Sequence, residues 1–271
     1  MDGKLPQPDR DRISTLTALI LLTYTLIRIV ILPTIETEFS ILGLFIRLEF
    51  KTGSIMLALA GCLAIAGSDW LIRSHPRIED GQSKPEHWVI PGLASIGAGT
   101  ILTRLPEGPV FWIGLILTAA LLIAVLMSEF IVLDPDDPRH DTTAIGLTAL
   151  AYLLLIGATF SIFATGLRAI FAIPLILAAS AVVAWRLLRL AQIKNTAVRF
   201  ALLISGTTAQ IAWGLHYWPT PPLREALILG LLVYLGNGLA MAHEEGKLER
   251  IRVIEFTFIG AVALIAIVSL A

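Results

Sequence analysis

The chain has 271 residues, 56% of them apolar and 15% charged, with a mean hydropathy of +0.81 and a net charge of −1. Soluble domains carry about 25% charged residues, so this composition excludes a water-soluble globular protein, and no basic surface marks a nucleic-acid partner. A single cysteine, Cys62, excludes an internal disulfide and reads as a small packing side chain within an apolar run.

A bilayer core asks for about 20 consecutive, mainly apolar residues per helix. Nine such spans follow one another at 13–33, 53–72, 88–104, 109–132, 143–165, 168–190, 197–216, 223–242 and 253–271. The third is the shortest. The first follows a charged leader but is too long for a signal-peptide core and lacks a small-x-small cleavage site, so it is expected to stay as a helix. With the N-terminus in the cytoplasm, fourteen Lys and Arg fall in inner loops and five in outer loops, with Arg28 inside the first span. The excess of basic residues inside predicts a cytoplasmic N-terminus and an outer C-terminus in a bacterial plasma membrane.

Within the first span, Arg28 is the one basic residue at membrane depth. Such groups are costly and often functional, but Pro33 is five residues away and the long side chain can snorkel outward or pair with Glu36 or Glu38. The outer loop that follows, 34–51, places Glu36 and Glu38 before "FSILGLFIRLEF", which is expected to lie as a short helix in the interface. Acidic residues ahead of an interfacial helix resemble the layout of membrane glycosyltransferases that use lipid-linked donors. In that alternative Glu36 or Glu38 supplies a carboxylate, and Arg28, Arg47 or Arg104 holds phosphate.

Beyond the fourth span comes "LDPDDPRHD", 133–141, the most acidic short stretch of the chain. Pro135 and Pro138 turn the chain, and Asp141 or Thr142 is expected to cap the fifth helix, so a turn is favoured over a metal or phosphate site. In the seventh and eighth spans, "SGTTAQ" at 205–210 and "GNG" at 236–238 gather polar and small residues. Their hydroxyls and amides can bond across helices, and Thr207, Gln210 and Asn237 are candidates to line a substrate or ion path. "AHEEGKLER" at 242–250 lacks the second histidine of a zinc helix and reads as a charged helix end.

Two marks recur at one offset of 113 residues: "FKTG" at 50–53 with "FATG" at 163–166, and "PEGP" at 106–109 with "PTPP" at 219–222. They suggest an all-α protein built as a parallel four-plus-four helix repeat with a terminal helix: 1–133, carrying the insertion 34–51, then 134–245, then 246–271. "DWLIRSHP" at 69–76, "EFIVLDPDDPR" at 129–139 and "LHYWP" at 215–219 resemble a bacterial family of multi-pass membrane proteins known as a domain of unknown function. That resemblance implies the same membrane architecture over nearly the whole chain and assigns no site residues. No phosphate loop, serine elbow or paired axial histidine is present in the sequence, and neither a cofactor nor a metal is expected. The expected function is non-enzymatic, a transport or channel-like protein or a structural membrane component, with the lipid bilayer and a lipid or small molecule as partners.

Overall fold

A computed structural model describes residues 7–30, 35–41, 44–50, 52–78, 82–247 and 250–269, with backbone alone for 35–41, 44–50, 250 and 251. Among these residues the chain forms nine α-helices and one β-hairpin. The helices are α1 Arg10–Ile29, α2 Thr52–Ile72, α3 Val89–Arg104, α4 Pro109–Ile131, α5 His140–Ala164, α6 Ala169–Leu190, α7 Ala197–His216, α8 Pro222–Glu244 and α9 Arg250–Ser269. Each falls on one of the nine apolar stretches. All except α3 and α7 are long and apolar enough to cross a membrane, which makes seven.

The outer loop corrects one expectation. In place of an interfacial helix it forms two antiparallel strands, β1 Ile35–Ile41 and β2 Leu44–Phe50. Ile35, Thr37, Phe39 and Ile41 alternate with Glu36, Glu38 and Ser40, a period of two that suits a strand and cannot make one face of a helix. The register pairs Thr37 with Leu48 and Phe39 with Ile46, and pairs Glu38 with Arg47. Only two residues, one of them Gly43, separate the strands, as a tight hairpin needs.

The chain divides into two compact units, Met1–Thr143 and Ala144–Ala271, with the division one turn into α5. In unit 1, α1 buries Ile13, Leu16, Thr17, Ile20, Thr23 and Tyr24, a single stripe at three- and four-residue spacing. Lipid tails are as apolar as leucine, so helices gain little from the hydrophobic effect and associate through close packing. Small residues make that packing possible: Gly67 of α2 receives Leu16, Gly61 of α2 receives Ile96 of α3, and Gly99 of α3 receives Tyr24.

Unit 2 uses the same device. The buried stripe of α7 is Ala197, Ala201, Ile204, Ser205, Thr208, Ala209 and Ala212, mostly small, and α6 packs along it. Gly230 of α8 receives Ile156 of α5, and Gly236 receives Ile204 of α7. Between α8 and α9 the exchange is mutual, because Gly238 receives Phe256 and Gly260 receives Leu235.

The repeat marks have mixed settings. Pro109 and Pro222 each occupy the first position of a 23-residue helix, where a missing N–H is harmless. Thr52 and Gly53 open α2, whereas Thr165 and Gly166 follow the last turn of α5, with Gly166 at φ 63° as its left-handed end.

Candidate functional site

The richest polar assembly lies at one end of unit 1, where α2 and α4 finish and α3 begins. Glu129 is the only charged residue in α4 and is 1% exposed. Its Oε2 lies 2.7 Å from Nδ1 of His87, a buried residue on the 3-10 turn Pro85–Trp88 that leads into α3. A carboxylate and an imidazole at this distance hold one proton between them or form an ion pair, and burial strengthens either arrangement. Asp69 in the last turns of α2 braces the same segment: it accepts from Ser83 Oγ at 2.9 Å and from the Trp88 indole at 3.3 Å, and it meets Arg73 at 2.6 Å.

His75, just beyond α2, is 2% exposed and sets its ring edge-on to Phe130 of α4, with centroids 4.6 Å apart. Its Nδ1 accepts the backbone N–H of Arg77 at 3.2 Å, and its Nε2 has no hydrogen-bond partner among the described residues. Burial holds this imidazole below its ordinary range; Asp134 and Asp137 oppose that shift, while Arg77 and Lys84 reinforce it. The Arg77 guanidinium reaches Asp134 at 3.0 Å and Asp136 at 2.5 Å, which ties the end of α2 to the acidic turn.

The turn 134–139 is ordered by its own side chains. Asp134 Oδ1 accepts the Asp136 N–H at 2.9 Å, and Asp137 Oδ1 accepts the Arg139 N–H at 2.8 Å, two Asx-turns in succession. Arg139 also grips the nearly buried Asp137 carboxylate with Nε at 3.0 Å and with a second nitrogen at 2.7 Å, and this hydrogen bonding lowers the Asp137 pKa. The expected capping is corrected here: α5 starts at His140, so Asp141 sits in its first turn instead of capping it. Among the described residues no three His, Cys, Asp or Glu side chains are grouped to hold a metal ion.

The residues singled out from the sequence have other surroundings. Arg28 donates to the carbonyls of Leu102 at 3.1 Å and Leu105 at 2.5 Å and lies over the Phe111 ring at 5.1 Å. It therefore closes the C-terminal end of α3, where carbonyls lack partners and carry negative partial charge. The side chains of Glu36, Glu38 and Arg47 lie outside the described residues. Thr207 and Gln210 stand one turn apart on an exposed face of α7, while Asn237 is 1% exposed and donates to the Tyr152 hydroxyl of α5 at 3.2 Å.

The hydroxyls of "SGTTAQ" turn back onto their own helix. Ser205 donates to the Leu202 carbonyl, Thr207 to Leu203 and Thr208 to Ile204, so none of the three bonds across helices in those contacts. Both α7 and α8 run unbroken through their glycines. What the sequence reading missed was Glu129 and His87. The signal was present, since Glu129 is a lone carboxylate in an apolar span, the same oddity that drew notice to Arg28.

No curated protein and no solved structure shows a match to this chain. A family model described as "Protein of unknown function (DUF5656)" matches residues 32–270, and it thus takes in the hairpin, the His87–Glu129 pair, the acidic turn and all of unit 2. With that match over most of its length, the chain belongs to the DUF5656 family and is a member with a multi-pass membrane architecture.

Proposed function

We propose that the protein is a non-enzymatic structural component of a membrane, a multi-pass scaffold that conducts no solute. One observation carries this: among the described residues, the polar side chains that bond from one helix to another do so as separate pairs, and the mid-helix hydroxyls of α7 bond to their own helix. Tyr24 of α1 meets Ser95 of α3 at 2.6 and 2.7 Å, Asn237 of α8 meets Tyr152 of α5, and Arg28 holds the end of α3. Pairing of this kind fixes helix positions and uses up polar groups that a path would need. The lipid-linked enzyme draws less support from Arg28, whose Nη2 already donates to two carbonyls.

The same proposal places the N-terminus on the cytoplasmic side of a bacterial plasma membrane. It rests on the fourteen-to-five bias of basic residues, which becomes thirteen to five once Arg186, buried in α6, is set aside. In this orientation the Glu129–His87 end of unit 1 faces inward.

Purified protein reconstituted in vesicles tests the function. Proton, potassium and small-solute permeability should equal that of empty vesicles across a range of protein densities. A flux that rises with protein content and saturates with solute would overturn the proposal and establish transport.

A further inference from the structure

Unit 2 has a groove of about 440 Å³ where α6 ends and α8 ends. Both helices are long and apolar enough to cross a membrane, so their ends, and the groove with them, lie at headgroup depth. Ala191, Ile193 and Met241 are its apolar lining. Its rim is charged on both sides: Lys194 stands on the connection between α6 and α7, and Glu244 and Glu245 stand at the end of α8.

Their commitments differ. Glu245 is neutralised by Lys247 at 2.9 Å, while Glu244 takes the Thr196 hydroxyl at 2.7 Å on one oxygen. The Lys194 ammonium and the side-chain amides of Gln192 and Asn195 form no hydrogen bond or ion pair with a described residue. Gln192 is also the one non-glycine among the described residues with a left-handed backbone, φ 64°, at a helix end where glycine is the usual occupant. A side chain is kept where none is easiest, and it lines the groove.

We propose that this groove binds the zwitterionic headgroup of an ethanolamine-class phospholipid. Lys194, with the Gln192 and Asn195 amides as donors, would hold the phosphate, and the Glu244 carboxylate would accept from the primary ammonium. Choline fits less well, because its quaternary nitrogen donates no hydrogen bond and no aromatic side chain lines the groove to offer a ring face. Anionic glycerol headgroups lack the cation that Glu244 requires. Acyl chains would run from the headgroup into the bilayer beside α6 and α8.

Native mass spectrometry of the full-length protein, titrated separately with phosphatidylethanolamine, phosphatidylcholine and phosphatidylglycerol, tests this. The ethanolamine lipid should be retained about tenfold better than the choline lipid, the equivalent of one charge-assisted hydrogen bond. Glu244→Gln should remove that preference and Lys194→Ala should weaken retention of both lipids, with circular dichroism and gel-filtration profiles unchanged. Gln192→Gly suits the backbone at that position and provides a variant that keeps the fold while weakening retention. Equal retention of the three lipids, a preference for phosphatidylglycerol, a preference that survives Glu244→Gln, or retention unchanged by Lys194→Ala and Gln192→Gly would overturn the proposal. Soluble glycerophosphoethanolamine at millimolar concentration should leave the lipid in place; displacement would show that the groove takes a free zwitterion and would also overturn it.

Discussion

Asp137 and His75 show how single residues hold the acidic turn. His75 has a folded-state pKa below its ordinary value near 6.5, chiefly because it is buried. Between those two values the unfolded chain binds a proton that the folded chain refuses. Its contribution is therefore complete above about pH 6.5 and is lost as pH falls through the folded pKa. Thermal unfolding in detergent should show a level midpoint from pH 8 to 7 and a decline below 6.5, up to about 1.4 kcal/mol per pH unit for one proton. His75→Gln should flatten that decline. Asp137, whose pKa is lowered by Arg139, keeps its contribution above the ordinary carboxylate range and loses it as pH falls from there through its folded pKa, so the two phases separate. Arg28→Ala should lower stability by about 1–3 kcal/mol because the Leu102 and Leu105 carbonyls lose their donor, with Arg28→Lys between it and wild type in the same melt. At this scale the sequence was a partial guide. The acidic stretch was legible as a turn because Pro and Asp act locally, whereas the pairing of Glu129 with His87 joins residues 42 apart and has no local signature.

Elements were easier to foresee where the pattern was long. Nine apolar stretches became nine helices because a run of some 20 apolar residues in lipid has only one way to satisfy its backbone. The stretch 39–50, expected as an interfacial helix, pairs instead within the hairpin that begins at Ile35, because strict alternation from 35 to 41 marks a strand. Polar residues of α7 were expected to reach across helices, but a serine or threonine hydroxyl in mid-helix finds the carbonyl one turn back first. Helix contacts turned instead on glycine. An added Cβ at Gly238 would lie 2.5 Å from the Phe256 ring. Gly238→Ala should therefore push α9 away from α8 at a cost of about 1–3 kcal/mol, and Phe256→Ala in the same chain should restore the approach. Spin labels on the two helices, read by pulsed dipolar spectroscopy, give the separation directly.

At the level of the molecule, composition alone placed the chain in a membrane, and the helix count followed from it. The number of crossings is a finer matter, since α3 has 16 residues and α7 is less apolar than the rest. If all nine helices cross, reporters on the two sides of α3 must lie on opposite faces of the membrane. Single cysteines at Lys84 and Glu107, in a Cys62→Ala background, should be labelled by an impermeant maleimide from opposite sides of sealed vesicles. Labelling of both from one side would make α3 a helix that enters and leaves by the same face. Of the marks that suggest a repeat, Pro109 and Pro222 share a setting at the start of α4 and α8, whereas the glycine marks stand at the start of α2 and after the end of α5.

The shortness of α3 has a consequence for the surrounding lipid. Sixteen residues rise about 24 Å, against roughly 30 Å of hydrocarbon. Crossing would leave the bilayer some 6 Å too thick beside this helix, a hydrophobic mismatch costing a fraction of a kcal/mol per ångström. Arg28, bound at one end of α3, and Glu129 with His87 at the other, mark where headgroups and water would have to dip to meet it. The protein would then dent the membrane locally and partition toward thinner bilayers.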